Sequence, residues 1–140
     1  MDGKDFLIAA KKFARSQFEA ELRSAISRAY YALFHAAAQF LAELGFSIEQ
    51  GPGVHGTVRN RLSNCGVEQL VDFAQTMDEL RTQRNKADYD LGSKGFQNQA
   101  ICALKVAGAE LAIGLLIQCR KEPLRSQIRN NIRAYESKIN

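Results

Sequence analysis

The stretch Arg23–Gly45, RSAISRAYYALFHAAAQFLAELG, constrains this chain more than any other, because its apolar residues recur at helical spacing with no Gly or Pro before its last position. Turned by about 100° per residue, Leu22, Ile26, Ala29, Tyr30, Leu33, Ala37, Phe40, Leu41 and Leu44 share one broad arc, which predicts a core helix. Ser24, Arg28, Tyr31, His35 and Gln39 fall on the opposite side and give the same helix a polar stripe. One face is for packing; the other carries the functional question.

The chain around it reads as further helices. With 140 residues, 46% apolar and 24% charged, it has the length and composition of one globular domain with a buried core. Two prolines and no sustained β-alternation make the expected class all-α. Phe6, Leu7, Ala10, Phe13 and Ala14 predict a short amphipathic helix beside the central one, joined to it through Ser16–Glu21. Gly45 stands where a left-handed cap ends a helix, and Gly51-Pro52-Gly53 marks a turn before a third helix over Val54–Leu62. From Val67 the seam Leu70, Phe73, Ala74, Met77, Leu80 defines a fourth helix. A fifth, Phe96–Cys119, is predicted to turn Ala100, Ile101, Leu104, Ala107, Gly108, Leu111 and Leu115 inward. Beyond Pro123, Leu124, Ile128, Ile132 and Tyr135 line a last helix, with Lys121, Arg125, Arg129 and Arg133 on another side. The expected architecture is an up-and-down bundle of four to five helices over residues 1–122, with a C-terminal amphipathic basic helix over 123–140 packed on it or extending from it.

A formal charge of +4 permits contact with a polyanion without demanding it. Cys65, Cys102 and Cys119 lack metal-ligand spacing and read as reduced, buried thiols, so a cytoplasmic setting is expected. No signal-peptide core opens the chain, and Lys105 and Glu110 interrupt Ala100–Cys119, from which no membrane span is expected.

Chemistry is concentrated in two places. Carried forward, the fourth-helix seam reaches Arg84, then Ala87 or Asp88, then Leu91, so charged residues take places that the pattern reserves for core. Arg84 and Asp88 are one turn apart. They can pair as a structural ion pair, or the carboxylate can orient the guanidinium toward a phosphate; spacing admits both. The polar stripe of the central helix is the second place, where Tyr31 and His35 offer a stacking surface with polar tips. His55, just after Gly51-Pro52-Gly53, stands near a helix start that would either bind an anion or be capped. The chain has no GxxxxGK[ST] loop, no HExxH and no paired Cys motif, so neither a metal nor a cofactor is expected.

Three segments together, Arg28-Ala29-Tyr30-Tyr31-Ala32-Leu33-Phe34-His35-Ala36-Ala37, His55-Gly56 and Arg84 through Ala87-Asp88-Tyr89, resemble the HEPN domain family in order and separation. The resemblance runs from the first helix to the fifth. It implies a helical bundle, frequently a homodimer, that accompanies minimal nucleotidyltransferases or acts in toxin–antitoxin, defence or stress systems. It also implies that Arg84, Asn85, Asp88 and Tyr89 form one polar pocket with Tyr31 and His35, with Arg28 and His55 as further ligand candidates for a nucleotide or RNA. Many HEPN proteins are metal-independent ribonucleases that use an Arg followed, after four to six residues, by a His. Counted from Arg84 those places hold Tyr89, Asp90 and Leu91, and from Arg81 they hold Lys86, Ala87 and Asp88. None is histidine. The implied function is therefore binding, with two alternatives: a ribonuclease with a substituted histidine, or a structural dimer without ligand. No catalytic residue is assigned.

Overall fold

The computed structural model describes residues 1–139, and among them every regular element is a helix: α1 Lys4–Phe13, α2 Glu19–Glu43, α3 Val54–Ser63, α4 Glu68–Tyr89, α5 Gln99–Cys119 and α6 Leu124–Ile139. α2 is the axis of the bundle and touches α1, α3, α4 and α5. All nine residues of its predicted arc are buried, while Ser24, Arg28 and Tyr31 are half-buried at its rim and His35 and Gln39 face solvent. The joint before it is shorter than its polar composition suggested, because Glu19 already belongs to the helix.

Local chemistry accounts for the ends. Gly45 takes φ 96° and Gly53 φ 92°, conformations in which a β-carbon would clash with the backbone, so the α2 exit and the α3 entry both require glycine. Gly3 serves differently. A β-carbon there would come within 2.7 Å of His35 Cβ, so the missing side chain is what lets the start of α1 lie against α2.

Two expectations are corrected. α4 ends at Tyr89, so Leu91 lies past the helix and is exposed rather than inward. α5 is turned the other way: Cys102, Val106, Ala109, Ala112, Leu116 and Cys119 are buried, and Ile101, Leu104, Leu111 and Leu115 are exposed. A helix apolar nearly all round gives its own pattern no polar side to fix the phase. Despite Lys105 and Glu110, Gln99–Cys119 is long and apolar enough to cross a membrane by length and composition, with a mean hydropathy of 2.0, although it packs on the bundle here.

α6 meets α3 and α5, and its Ile128 and Ile132 are fully buried in the same core cluster as α2. Asn131 Nδ2 donates to the Cys65 carbonyl at 2.9 Å, and Arg61 pairs with Glu136 at 3.0 Å. The three cysteines are free and buried, and burial pushes each thiol above its ordinary pKa.

Candidate functional site

Tyr30 and Tyr31 are successive residues of a helix, so one ring turns into the bundle and the other stays at the rim. Two chains of polar contacts converge on this pair. The first comes from beneath. His55, second residue of α3, is buried, and its Nδ1 lies 2.8 Å from the Tyr30 hydroxyl while its Nε2 lies 2.7 Å from Asp78 Oδ1 on α4. A carboxylate only accepts, so Nε2 carries the proton and Tyr30 donates to Nδ1. Burial pushes the His55 pKa down, and Arg81 and Arg59 act in the same direction, outweighing the contact with Asp78; the imidazole is neutral. Burial also raises the Tyr30 pKa, so the phenol keeps its proton. The order Tyr30, His55, Asp78 therefore fixes two rings in place and does not produce a tyrosinate nucleophile at neutral pH.

The second chain comes from α4. Arg84 Nη1 donates to the Tyr31 hydroxyl at 3.0 Å, and the guanidinium carbon lies 5.5 Å from the centroids of both tyrosine rings. Asp88 Oδ2 is 3.9 Å from the same nitrogen and accepts from Ser27 Oγ at 3.2 Å; Arg84 Nη2 donates to Asn85 Oδ1. The Arg84 and Asp88 side chains are 16% and 32% exposed, so the pair sits at the rim rather than in the core. Arg84 Nε is buried and has no partner within the chain. On the other side of Tyr31, the Arg28 guanidinium lies 5.4 Å from both the Tyr31 and Phe6 rings, and His35 stacks on Phe6 at 5.2 Å and 8°. Burial against these rings lowers the His35 pKa.

Arg84, Asn85, Asp88, Tyr31 and Arg28 are thus in one continuous cluster, and His35 joins it through Phe6. His55 lies under it, reached through Tyr30; it neither caps α3, whose N-cap Gly53 has no side-chain partner, nor faces an open anion site. Tyr89 is 78% exposed and points to solvent. The cluster is an open surface. A hollow of about 430 Å³ between α1 and α5, lined by Lys11, Arg15, Gln99 and Glu110 among others, shares no residue with it. Among the described residues no three His, Cys, Asp or Glu side chains are grouped to hold a metal.

Sequence reasoning passed over the residue that sets the height of this site. Arg23 is buried on α2, and its two terminal nitrogens donate to the carbonyl oxygens of Lys86, Ala87, Asp90, Leu91 and Ser93 at 3.0–3.1 Å. The Phe96 ring lies 4.6 Å from its guanidinium carbon, and Glu19 Oε2 3.5 Å from Nε. These carbonyls lie at the α4 C-terminus and in the turn beyond, where Lys86 O and Asp90 O also accept from the Asp90 and Ser93 amides, so one side chain ties together the end of the helix that carries Arg84 and Asp88. The signal was present as Arg23 and Ser27, one turn apart and next to the apolar arc. Asp78, the partner of His55 Nε2, was also missed.

The fold and the cluster define an all-α bundle in which arginines from two helices bracket a tyrosine pair. The HEPN domain model matches residues 2–114, from the residue before Gly3 to the last third of α5, and the chain belongs to the HEPN domain family. A nucleotide- or RNA-related function, in the general sense, goes with that family. Comparison with curated proteins and with solved structures gave no match.

Proposed function

We propose that this chain is a nucleotide- or RNA-binding HEPN module that acts with a partner protein, of the nucleotidyltransferase type, in a toxin–antitoxin, defence or stress role. The observation that carries the binding reading is the state of Arg84. It is held by two aromatic rings, the Tyr31 hydroxyl and the Asn85 side-chain oxygen, and its nearest carboxylate is at 3.9 Å, so no close carboxylate neutralises the guanidinium and its charge is left for an anion. Arg28 on the far side of Tyr31 adds a second cation, and the Phe6–His35 stack offers a flat surface to a base. A phosphate seated between the two guanidiniums with its base on that surface uses every exposed member of the cluster.

The test uses a labelled single-stranded RNA and, separately, a nucleoside triphosphate, in chelator. Binding should appear as a rise in fluorescence anisotropy for the RNA and as a raised melting temperature for either. A ligand at 100 times its dissociation constant stabilises by about 2.7 kcal/mol. Arg84→Ala should remove the binding while leaving the ligand-free melting temperature nearly unchanged. RNA cleavage in chelator, abolished by Arg84→Ala in a folded protein, would replace this reading with the ribonuclease. If neither ligand binds, the chain is a structural element.

A further inference from the structure

Charge is not spread evenly over the bundle. Residues 1–119 hold thirteen Lys and Arg against thirteen Asp and Glu, and residues 120–140 hold six against two, so the whole formal charge of +4 lies in the last segment. That segment also lies beyond residue 114, where the family match ends. Within it Arg125, Arg129 and Arg133 follow one another along α6 at steps of four residues, about 6 Å of axial rise each. Arg125 and Arg129 are half-buried and Arg133 is exposed, on the flank of α6 that begins at the end of α2, where Arg125 Nη2 donates to the Glu43 carbonyl at 3.0 Å.

We propose that this flank is a second contact for the phosphates of a single-stranded RNA whose other end occupies the cluster at Arg84; the proposal rests on the binding reading of that cluster and makes its ligand an oligonucleotide. Three observations carry this. First, the charge of the row is left over. Among the described residues no carboxylate lies within 4 Å of Arg125, Arg129 or Arg133. The carboxylates around them are engaged elsewhere: Glu43 by Arg120 at 2.8 Å, Glu136 by Arg61 at 3.0 Å, and Glu122 by the Ser126 amide and hydroxyl. Like charges four residues apart weaken a helix, so the stability of α6 does not account for the row.

Second, one surface joins the row to Arg84. On α2 a stripe through Arg28, Tyr31, His35, Gln39 and Ala42, half-buried at first and exposed from His35 on, ends beside Glu43, where Arg120 and Arg125 reach it. The acidic residues next to it, at the start of α1, are turned to the backbone there: Asp2 accepts from the Lys4 amide at 2.9 Å and Asp5 from the Asp2 amide at 3.0 Å. From Tyr31 to Glu43 the helix rises about 18 Å. A mononucleotide cannot span that, whereas about five or six stacked nucleotides at about 3.4 Å each do. Third, the chemistry favours a phosphate backbone over a bilayer. Guanidiniums grip phosphate oxygens two at a time. Ile128 and Ile132 are fully buried, so the apolar side by which an amphipathic helix enters a membrane is already used in the core.

Fluorescence anisotropy of the full chain tests this with a short and a long labelled single-stranded RNA, of about 3 and about 12 nucleotides, over a series of salt concentrations. The long RNA should bind at least about 10-fold more tightly than the short one. Arg129→Gln with Arg133→Gln leaves the Arg125 contact to α2 in place. It should weaken the long RNA at least about 10-fold and lower its salt slope by about 1.4, the share of two phosphates, with the short RNA unchanged. Lys12→Gln with Lys105→Gln removes the same charge from α1 and α5 and should leave both RNAs as they were. Equal affinity for the two lengths overturns the second contact and leaves the reading at Arg84 standing, as does a long RNA that is indifferent to Arg129 and Arg133 but lost in Arg84→Ala. A long RNA that needs Arg129 and Arg133 but not Arg84 overturns the shared strand, and the reading at Arg84 with it. If neither RNA binds and the chain floats with phosphatidylserine vesicles unless Arg129 and Arg133 are replaced, the row belongs to a lipid surface instead.

Discussion

Replacing Arg23 by Met keeps the apolar stem and removes the charge together with all five of its hydrogen bonds. A hydrogen bond to a charged group contributes about 1.5–3 kcal/mol, but these five share two nitrogens and cannot each count in full. The carbonyls of Asp90 and Leu91 belong to exposed residues and recover water, whereas the Ala87 carbonyl belongs to a buried one and stays dry. With one or two acceptors stranded and no guanidinium left over the Phe96 ring, the expected cost is about 3–5 kcal/mol, a large share of the about 5–15 kcal/mol that holds a domain together. Urea denaturation measures it. Amide exchange localises it: protection should fall over residues 86–93 before it falls in α2. Arg23→Lys retains the charge but not the planar fork that reaches both sides of the turn, and should recover less than half of the loss. A cost below about 1 kcal/mol for Arg23→Met, or full rescue by Lys, would refute the argument that this side chain ties the end of α4 together.

Asp88→Ala should cost at most about 1 kcal/mol, since a rim pair at 3.9 Å is screened by water; a loss of several kcal/mol in the same urea titration would mean that the pair is buried in solution. Both histidines titrate below their ordinary 6.5 in the folded chain, so below that pH the unfolded state binds more protons and stability drains away as pH falls. Melting temperature should therefore drop between about pH 7 and 5, and in His35→Gln the remaining drop belongs to His55, which Asp78, Tyr30, Arg81 and Arg59 surround; a rise over that range would contradict neutral histidines.

The central helix was legible because its two faces differ in chemistry: nine apolar residues fix the phase and five polar ones confirm it. The same periodicity gave Arg84 a partly inward place on α4, although the seam alone could not show that the helix ends at Tyr89 and leaves Leu91 outside. α5 defeated the method for the opposite reason. A helix apolar on every side has no polar reference, and the leucines that looked most core-like were the ones left bare. The partners of His55 were out of reach too, since Tyr30 and Asp78 come from two other helices and only packing decides which residues meet.

The grip of Arg23 on main-chain oxygens carries a consequence for how such a protein can change over time. Because the clamp reads backbone and never side chain, none of the residue identities from Asp88 to Ser93 is needed to hold the end of α4 in position. Substitutions there can alter what the rim beside Arg84 recognises without loosening the frame. One fixed arginine lets the neighbouring turn be rewritten, so related chains with the same clamp are free to diverge in specificity at that turn while keeping a common scaffold.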